Sequence, residues 1–176
     1  ADGKLYCCST AAGPAFEGAG LSSGMTASPG AITQISLENG HLHCHTVQET
    51  NPAGLCGTGA LSTLSFLLEH GIMDATGRLL TDGHAFSSLV EESDTGRLFR
   101  LVPHSVALTQ ADIRQLQLAK AAVSAGAATL LHELDLSPHQ LDALVLCGGF
   151  GCRLNPRDAQ RIGMLPVLPL DRVLTA

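Results

Sequence analysis

The alternation of apolar and polar positions changes period several times along this chain, and each change marks an element. Residues Lys4–Cys8 (KLYCC) are short and apolar enough for a strand. From Gly13 to Gly30 the periodicity vanishes and seven positions are Gly or Pro, which predicts a long ordered loop with one helical turn around Pro14–Gly18. ITQISLE and HLHCHTV then flank Asn39-Gly40, a pair that tolerates positive φ at both central positions of a type I′ turn, so a β-hairpin is expected. In LCGTGALSTLSFLLEHG, Leu61, Leu64, Phe66, Leu67 and Leu68 recur at helical spacing and Gly71 offers a left-handed end. A helix from about Thr58 to His70 follows.

Between Ile72 and Val106 the pattern is one of short strands broken at Thr76-Gly77, Asp82-Gly83 and Thr95-Gly96, with RLFRLV the strongest and a polar surface middle. Thr109 and Asp112 form a capping-box pattern that opens a long helix running to about Leu134. Its stripe of Ile113, Leu116, Ala119, Ala122 or Val123, Ala127, Leu130 and Leu134 is made mostly of small residues, which predicts a close neighbour along one buried face. After Ser137-Pro138, the run ALVLC reads as a strand covered on both faces, entering Gly148-Gly149-Phe150-Gly151 directly. A short helix near Pro156–Ile162 and a proline-broken tail complete the chain.

Composition narrows the picture. The 176 residues fit one domain, and 45% hydrophobic against 15% charged residues excludes disorder. Sixteen acidic and ten basic side chains leave a net charge of −6, which speaks against nucleic acid or anionic lipid as a partner. Five Phe and one Tyr leave the core to aliphatic residues. No run reaches the length of a membrane span and the first residues lack a secretory pattern, so the expectation is a cytoplasmic protein with reduced thiols.

Two glycine junctions are candidates for ligand chemistry. Gly148, Gly149 and Gly151 follow a strand, where residues without Cβ let backbone amides approach a nucleotide, although a tight turn needs the same residues. Gly57, Thr58 and Gly59 open a helix whose free amides can hold an anion, or else form an ordinary helix entry capped by Thr58. Neither matches G-x-G-x-x-G or a P-loop, and no G-x-S-x-G elbow supports a hydrolase. His41, His43 and His45 alternate onto one face of their strand, a spacing able to bind zinc or nickel. With no Cys or carboxylate expected beside them, a plain solvent face is the competing reading. Cys7, Cys8, Cys44, Cys56 and Cys147 are expected to be small buried hydrophobes, with Cys152 exposed. Glu17, in GPAFEGAG, is the carboxylate whose loop context best suits a ligand, its alternative role being to cap the local turn.

Four blocks taken together, CSTAAGPAFEGAG (Cys8–Gly20), CGTGAL (Cys56–Leu61), LTQADIRQLQLAKAAVSAG (Leu108–Gly126) and LCGGFGCRLNPRDAQRIGMLP (Leu146–Pro166), resemble the C-terminal part of the reductive activators of corrinoid proteins. The resemblance implies an α/β actin-like (ribonuclease-H-like) ATPase subdomain, a mixed sheet flanked by helices. It also implies a parent protein that uses ATP to drive reduction of cob(II)amide to cob(I)amide. By the same resemblance Gly148, Gly149, Phe150 and Gly151 fall on the adenosine-contacting motif, and the loop carrying Ser9, Thr10 and Gly13 faces the same cleft. Where the family usually has asparagine after the last glycine, this chain has Cys152. The family's two D-I-G-T phosphate loops and a C-x4-C-x2-C ligand set for a [2Fe–2S] cluster are absent from the sequence.

The expectation is therefore a single partial domain over residues 1–176, a C-terminal lobe incomplete at both ends. It would contribute the adenosine side of a site for ATP or ADP with Mg²⁺. Its partners would be a corrinoid protein, the remaining domains of the parent activator, and a second copy in a homodimer. Alone it should not turn over ATP. The alternative is a non-catalytic docking or dimerisation module in which the glycines are structural. The geometric expectation is a shallow open pocket lined by Gly148–Gly151 with Ser9–Gly13 on its wall.

Overall fold

The computed structural model describes residues 3–176. Strands β1 (Ala31–Glu38) and β2 (His41–Thr46) pair antiparallel, with Glu38 opposite His41 across Asn39 and Gly40. Both turn residues have positive φ, 52° and 81°, as the Asn-Gly pair requires. A short β3 (Gly54–Leu55) joins β1 in parallel on its other side, making a mixed three-stranded sheet. Helix α1 (Gly57–Glu69) lies directly on β1, and ten of its thirteen residues are buried.

The closeness of α1 to β1 depends on Gly59, where a Cβ would collide with the carbonyl oxygen of Ile32. Its buried hydroxyls are all paired: Thr63 donates to Gly59 O at 2.8 Å, Ser62 accepts from Ile35 N at 3.1 Å, and Ser65 donates to Asp158 at 2.7 Å. Leu61, Leu64 and Leu67 carry the helix into a core shared with Ile32, Leu55, Ile72 and Leu79.

A meander of β4 (Val90–Ser93), β5 (Gly96–Val102, containing RLFRLV) and β6 (Val106–Thr109) forms a second sheet. Phe99, Val106 and Leu108 bury its inner face. Helix α2 (Gln110–Glu133) starts from β6 through a complete capping box: the Thr109 hydroxyl accepts from Asp112 N, and Asp112 accepts from Thr109 N at 2.9 Å. The buried Asp112 carboxylate also takes the amide and hydroxyl of Ser22 at 2.8 and 3.1 Å, tying the early loop to the helix start. That loop is ordered because it folds on itself and runs beside β3, with Met25 N donating to Leu55 O and Leu55 N to Ser23 O.

Several expectations need correction. Residues 4–8 form no strand, since no sheet edge adjoins them; Leu5 is 94% exposed. The chain there passes α2 at Gly126, against which the methyl of Thr10 and the thiol of Cys8 pack. The α2 stripe is well buried at Ile113, Leu116 and Ala119, whereas Val123, Ala127 and Leu130 are half-buried because the helix outruns the core. ALVLC does not join the first sheet: β7 (Leu144–Leu146) pairs in parallel with β8 (Val173–Thr175), and Val145 is 50% exposed. Cys7, Cys8 and Cys147 are exposed rather than buried and Cys44 is half-buried, while Cys56 is buried and Cys152 exposed as expected. No described helix is long and apolar enough to cross a membrane.

Candidate functional site

A cavity of about 760 Å³ opens between the start of α1 and the turn after β7, a volume suited to a small organic ligand. Five pieces of chain meet there. The 3₁₀ turn Ala15–Glu17 contributes Phe16 and Glu17; the ordered loop contributes Thr26 and Ala27, and β1 contributes Thr33. The α1 entry brings Cys56, Gly57 and Thr58, and the short helix α3 (Gly148–Gly151) with the residues after it brings Gly149, Phe150 and Arg153.

Local sequence explains how each piece is held. The Pro14–Gly18 turn forms where expected, closed by Glu17 N donating to Pro14 O at 2.9 Å and by Gly18 at φ 78°. It sits close over α1 because position 57 has no side chain; a Cβ there would strike the carbonyl oxygen of Phe16. Cys56 anchors the helix entry from below, its thiol 3.2 Å from Ile32 O and 3.3 Å from the Thr58 hydroxyl. Phe16 and Phe150 stack across the cavity with ring centroids 5.2 Å apart and planes 16° from parallel, joining the two halves through an apolar contact.

Behind α3, helix α4 (Pro156–Arg161) is clamped to α1. Ser65 and Arg161 both reach the same cluster, with Arg161 donating to Ser65 at 2.8 Å and to Glu69 at 2.8 Å. Burial pushes the Asp158 carboxyl above its ordinary value, against the opposing pull of the Ser65 hydroxyl and the Arg161 charge. The first amides of α4 are taken: the Asn155 side chain accepts from Arg157 N and Asp158 N at 3.0 and 3.4 Å.

The resulting cavity is mostly apolar with a few placed polar groups. Its positive character comes from the first-turn amides of α1, which have no acceptors inside the helix, and from the Arg153 guanidinium. Glu17 is its one carboxylate among the described residues.

Of the residues singled out from sequence, the cavity gathers Glu17, Gly57, Thr58, Gly149 and Phe150. Gly148 and Gly151 belong to the same turn but are not on the wall; Gly148 carries φ 82° and Gly151 approaches the end of β7. Gly59 faces β1, and Ser9, Thr10 and Gly13 lie off the wall, Thr10 being against α2. The side of the cavity expected from Ser9–Gly13 is thus supplied by Phe16 and Glu17. Thr26, Ala27 and Thr33 carry no sequence signal as site residues, whereas Arg153 is a basic residue two positions after the last glycine of the turn. His41, His43 and His45 are not on the cavity wall; they are exposed on one face of the hairpin as expected. A carboxylate does accompany them: Glu38 reaches His43 and His45 from across the turn.

Comparison with known proteins agrees with this architecture. The family described as the C-terminal domain of RACo, the ASKHA domain, matches residues 1–176. The chain is 34% identical to corrinoid activation enzyme RamQ of Eubacterium limosum, over 93% of its own length and 30% of the relative's. It is 25% identical to a Co(II) methylated amine-specific corrinoid protein reductase of Methanosarcina barkeri, over 93% of its length and 31% of the relative's. It thus spans about 30% of the curated relatives it matches. A solved structure, a reductive activator for corrinoid, iron–sulfur protein, superposes with TM-score 0.84 at 35% identity, covering 96% of this chain and 28% of that one. On the match over its whole length, the chain belongs to the family of the RACo C-terminal ASKHA domain, an actin-like α/β fold.

Proposed function

We propose that this domain is the C-terminal lobe of an ATP-dependent reductive activator of a corrinoid protein, and that it forms the adenosine-side wall of the nucleotide site. The observation that carries the reading is Gly149. It has no left-handed φ and nothing within 4 Å of where a Cβ would be, so neither backbone conformation nor packing calls for glycine there. Close approach of a ligand to its backbone does. Phe16 and Phe150 offer an apolar face for the purine, while the Gly57 and Thr58 amides and Arg153 favour an anionic group.

In this reading the remaining phosphate contacts, and the Mg²⁺ that accompanies them, come from parts of the activator beyond this domain. So would the electron that takes cob(II)amide to cob(I)amide, which an iron–sulfur centre elsewhere in the activator would supply with ATP binding or hydrolysis as the driving force. The lobe's own work is to bind and orient the nucleotide. The setting is the cytoplasm, in keeping with six free cysteines among the described residues.

The test is a thermal shift of the 176-residue chain with millimolar Mg²⁺–ADP and Mg²⁺–ATP, alongside an ATPase assay. The expected result is a rise in Tm with both nucleotides and no turnover. Saturation at a hundred times Kd corresponds to about 2.7 kcal/mol. No shift with either nucleotide, with corrinoid-protein binding retained, would assign the lobe to docking instead.

A further inference from the structure

The outward face of the β1–β2 hairpin carries a group of side chains that the nucleotide reading leaves unused. The register sets His41 opposite Glu38, His43 opposite Ser36 and His45 opposite Gln34, so all six project to one face. On it, one carboxylate oxygen of Glu38 and one ring nitrogen each of His43 and His45 lie within 4.8 Å of one another. His43 Nδ1 is 3.9 Å from Glu38 Oε2, and His45 Nε2 is 3.7 Å from Glu38 Oε1.

We propose that Glu38, His43 and His45 form a binding site for a divalent transition metal of the zinc class, with a fourth position left to water. The donor set is the first reason. Two imidazoles and a carboxylate suit zinc and its neighbours, whereas calcium and magnesium take oxygen ligands, of which this site has one residue. Geometry is the second. Ligands about 2.0–2.2 Å from a tetrahedral ion stand about 3.4 Å from one another, so the observed separations close by small side-chain rotations.

The scaffold is the third. Both histidines come from one strand and the glutamate from its partner, locked by a two-residue turn. The opposite face of the same hairpin is anchored, with Leu42 and Cys44 packed on the core and Ile35 N bonded to Ser62 of α1. The Ser36 hydroxyl bridges two of the three groups, 2.9 Å from His45 Nε2 and donating to Glu38 Oε1 at 3.2 Å. A metal displaces it, and as a neutral hydroxyl it is not needed as a ligand. His41, though on the same face, stands outside the converging set.

The experiment titrates the 176-residue chain with Zn²⁺ by calorimetry and with Co²⁺ by visible absorption. Thiols are alkylated first, because the exposed cysteines also take up these ions. The expected result is one equivalent bound at micromolar metal. His43→Ala, His45→Ala and Glu38→Ala each weaken it by about tenfold or more, since the loss of outer contacts alone costs about that much at metal sites. His41→Ala and Ser36→Ala bind like the parent. All five positions are on the solvent face, and circular dichroism checks that each variant is folded. No uptake at micromolar metal, or uptake undiminished in His43→Ala and His45→Ala, would overturn the proposal.

Discussion

The glycine junction at the start of α1 and the one after β7 read alike as sequence, each a Gly-rich tetrad or hexad beside a strand, yet their glycines answer to different demands. Gly57 and Gly59 are closed in: side chains there would strike Phe16 O and Ile32 O, both backbone atoms that cannot swing aside. Gly148 is open but conformationally committed, with φ 82°, and Gly149 is open and uncommitted. Glycine can therefore stand for close packing, for a backbone turn or for access to the backbone. The four cases are separated by asking what a Cβ would meet and what φ requires.

The largest expected effect tests the closed junction. Gly59→Ala forces a methyl group into the Ile32 carbonyl and pushes α1 off β1, which should cost about 3 kcal/mol by the overpacking scale, read as a lowered urea midpoint at unchanged slope. A midpoint within error of the parent would mean that α1 rides higher on the sheet than described. The next effect tests the clamp that holds the two junctions together. Ser65→Ala leaves the Asp158 carboxylate without its 2.7 Å donor and should cost about 1–2 kcal/mol. It should also loosen α4 and the α3 turn, which amide exchange in residues 148–161 would register.

Acid titration separates the same clamp from the surface. Burial raises the Asp158 pKa in the folded state, so the fold binds that proton more tightly than the unfolded chain does. Asp158 therefore weighs against stability above its folded pKa, and this is relieved as the pH falls through it. Asp74 and Glu91 have the opposite sign: the Thr76 hydroxyl and the Arg100 guanidinium hold their carboxyls low. Their contribution is present above the ordinary carboxylate range and is lost as the pH falls through their folded values. The urea midpoint is expected to hold or rise slightly towards the upper edge of the carboxylate range and to fall below it. In Asp158→Asn the first phase should vanish and the second remain.

The smallest stability effect belongs to the open junction. Gly149→Ala should leave the midpoint unchanged or raised by up to about 1 kcal/mol, since the helix gains a residue of better propensity and the methyl meets nothing. Its effect should fall on nucleotide binding alone.

Much of this contrast was readable beforehand, and its limits are physical. The hairpin, α1 and the capping box of α2 are encoded by neighbouring residues: Asn39-Gly40, the Leu61–Leu67 spacing and Thr109 with Asp112 each act within a few positions. ALVLC misleads because a short apolar run has the same pattern in a central strand as in a two-stranded edge; its neighbours alone decide. Lys4–Cys8 failed for the same reason, having strand composition without a strand to join. At the cavity, Gly57, Thr58, Gly149 and Phe150 are legible through their glycine setting and Glu17 through its loop, whereas Thr33 arrives from a distant chain segment and carries no local signal. Glu38 could have been found, because a two-residue turn fixes the register and hence puts Glu38 on the histidine face.

The central claim is that the open glycine serves a nucleotide, and the most direct measurement is an amide NMR titration of the 176-residue chain with Mg²⁺–ADP. The account predicts saturable shifts centred on Gly149 and Phe150, extending to Gly57, Thr58 and the Phe16 turn, and abolished in a folded Gly149→Val variant. Shifts centred elsewhere on the molecule, or a Gly149→Val chain that binds as tightly as the parent, would contradict it.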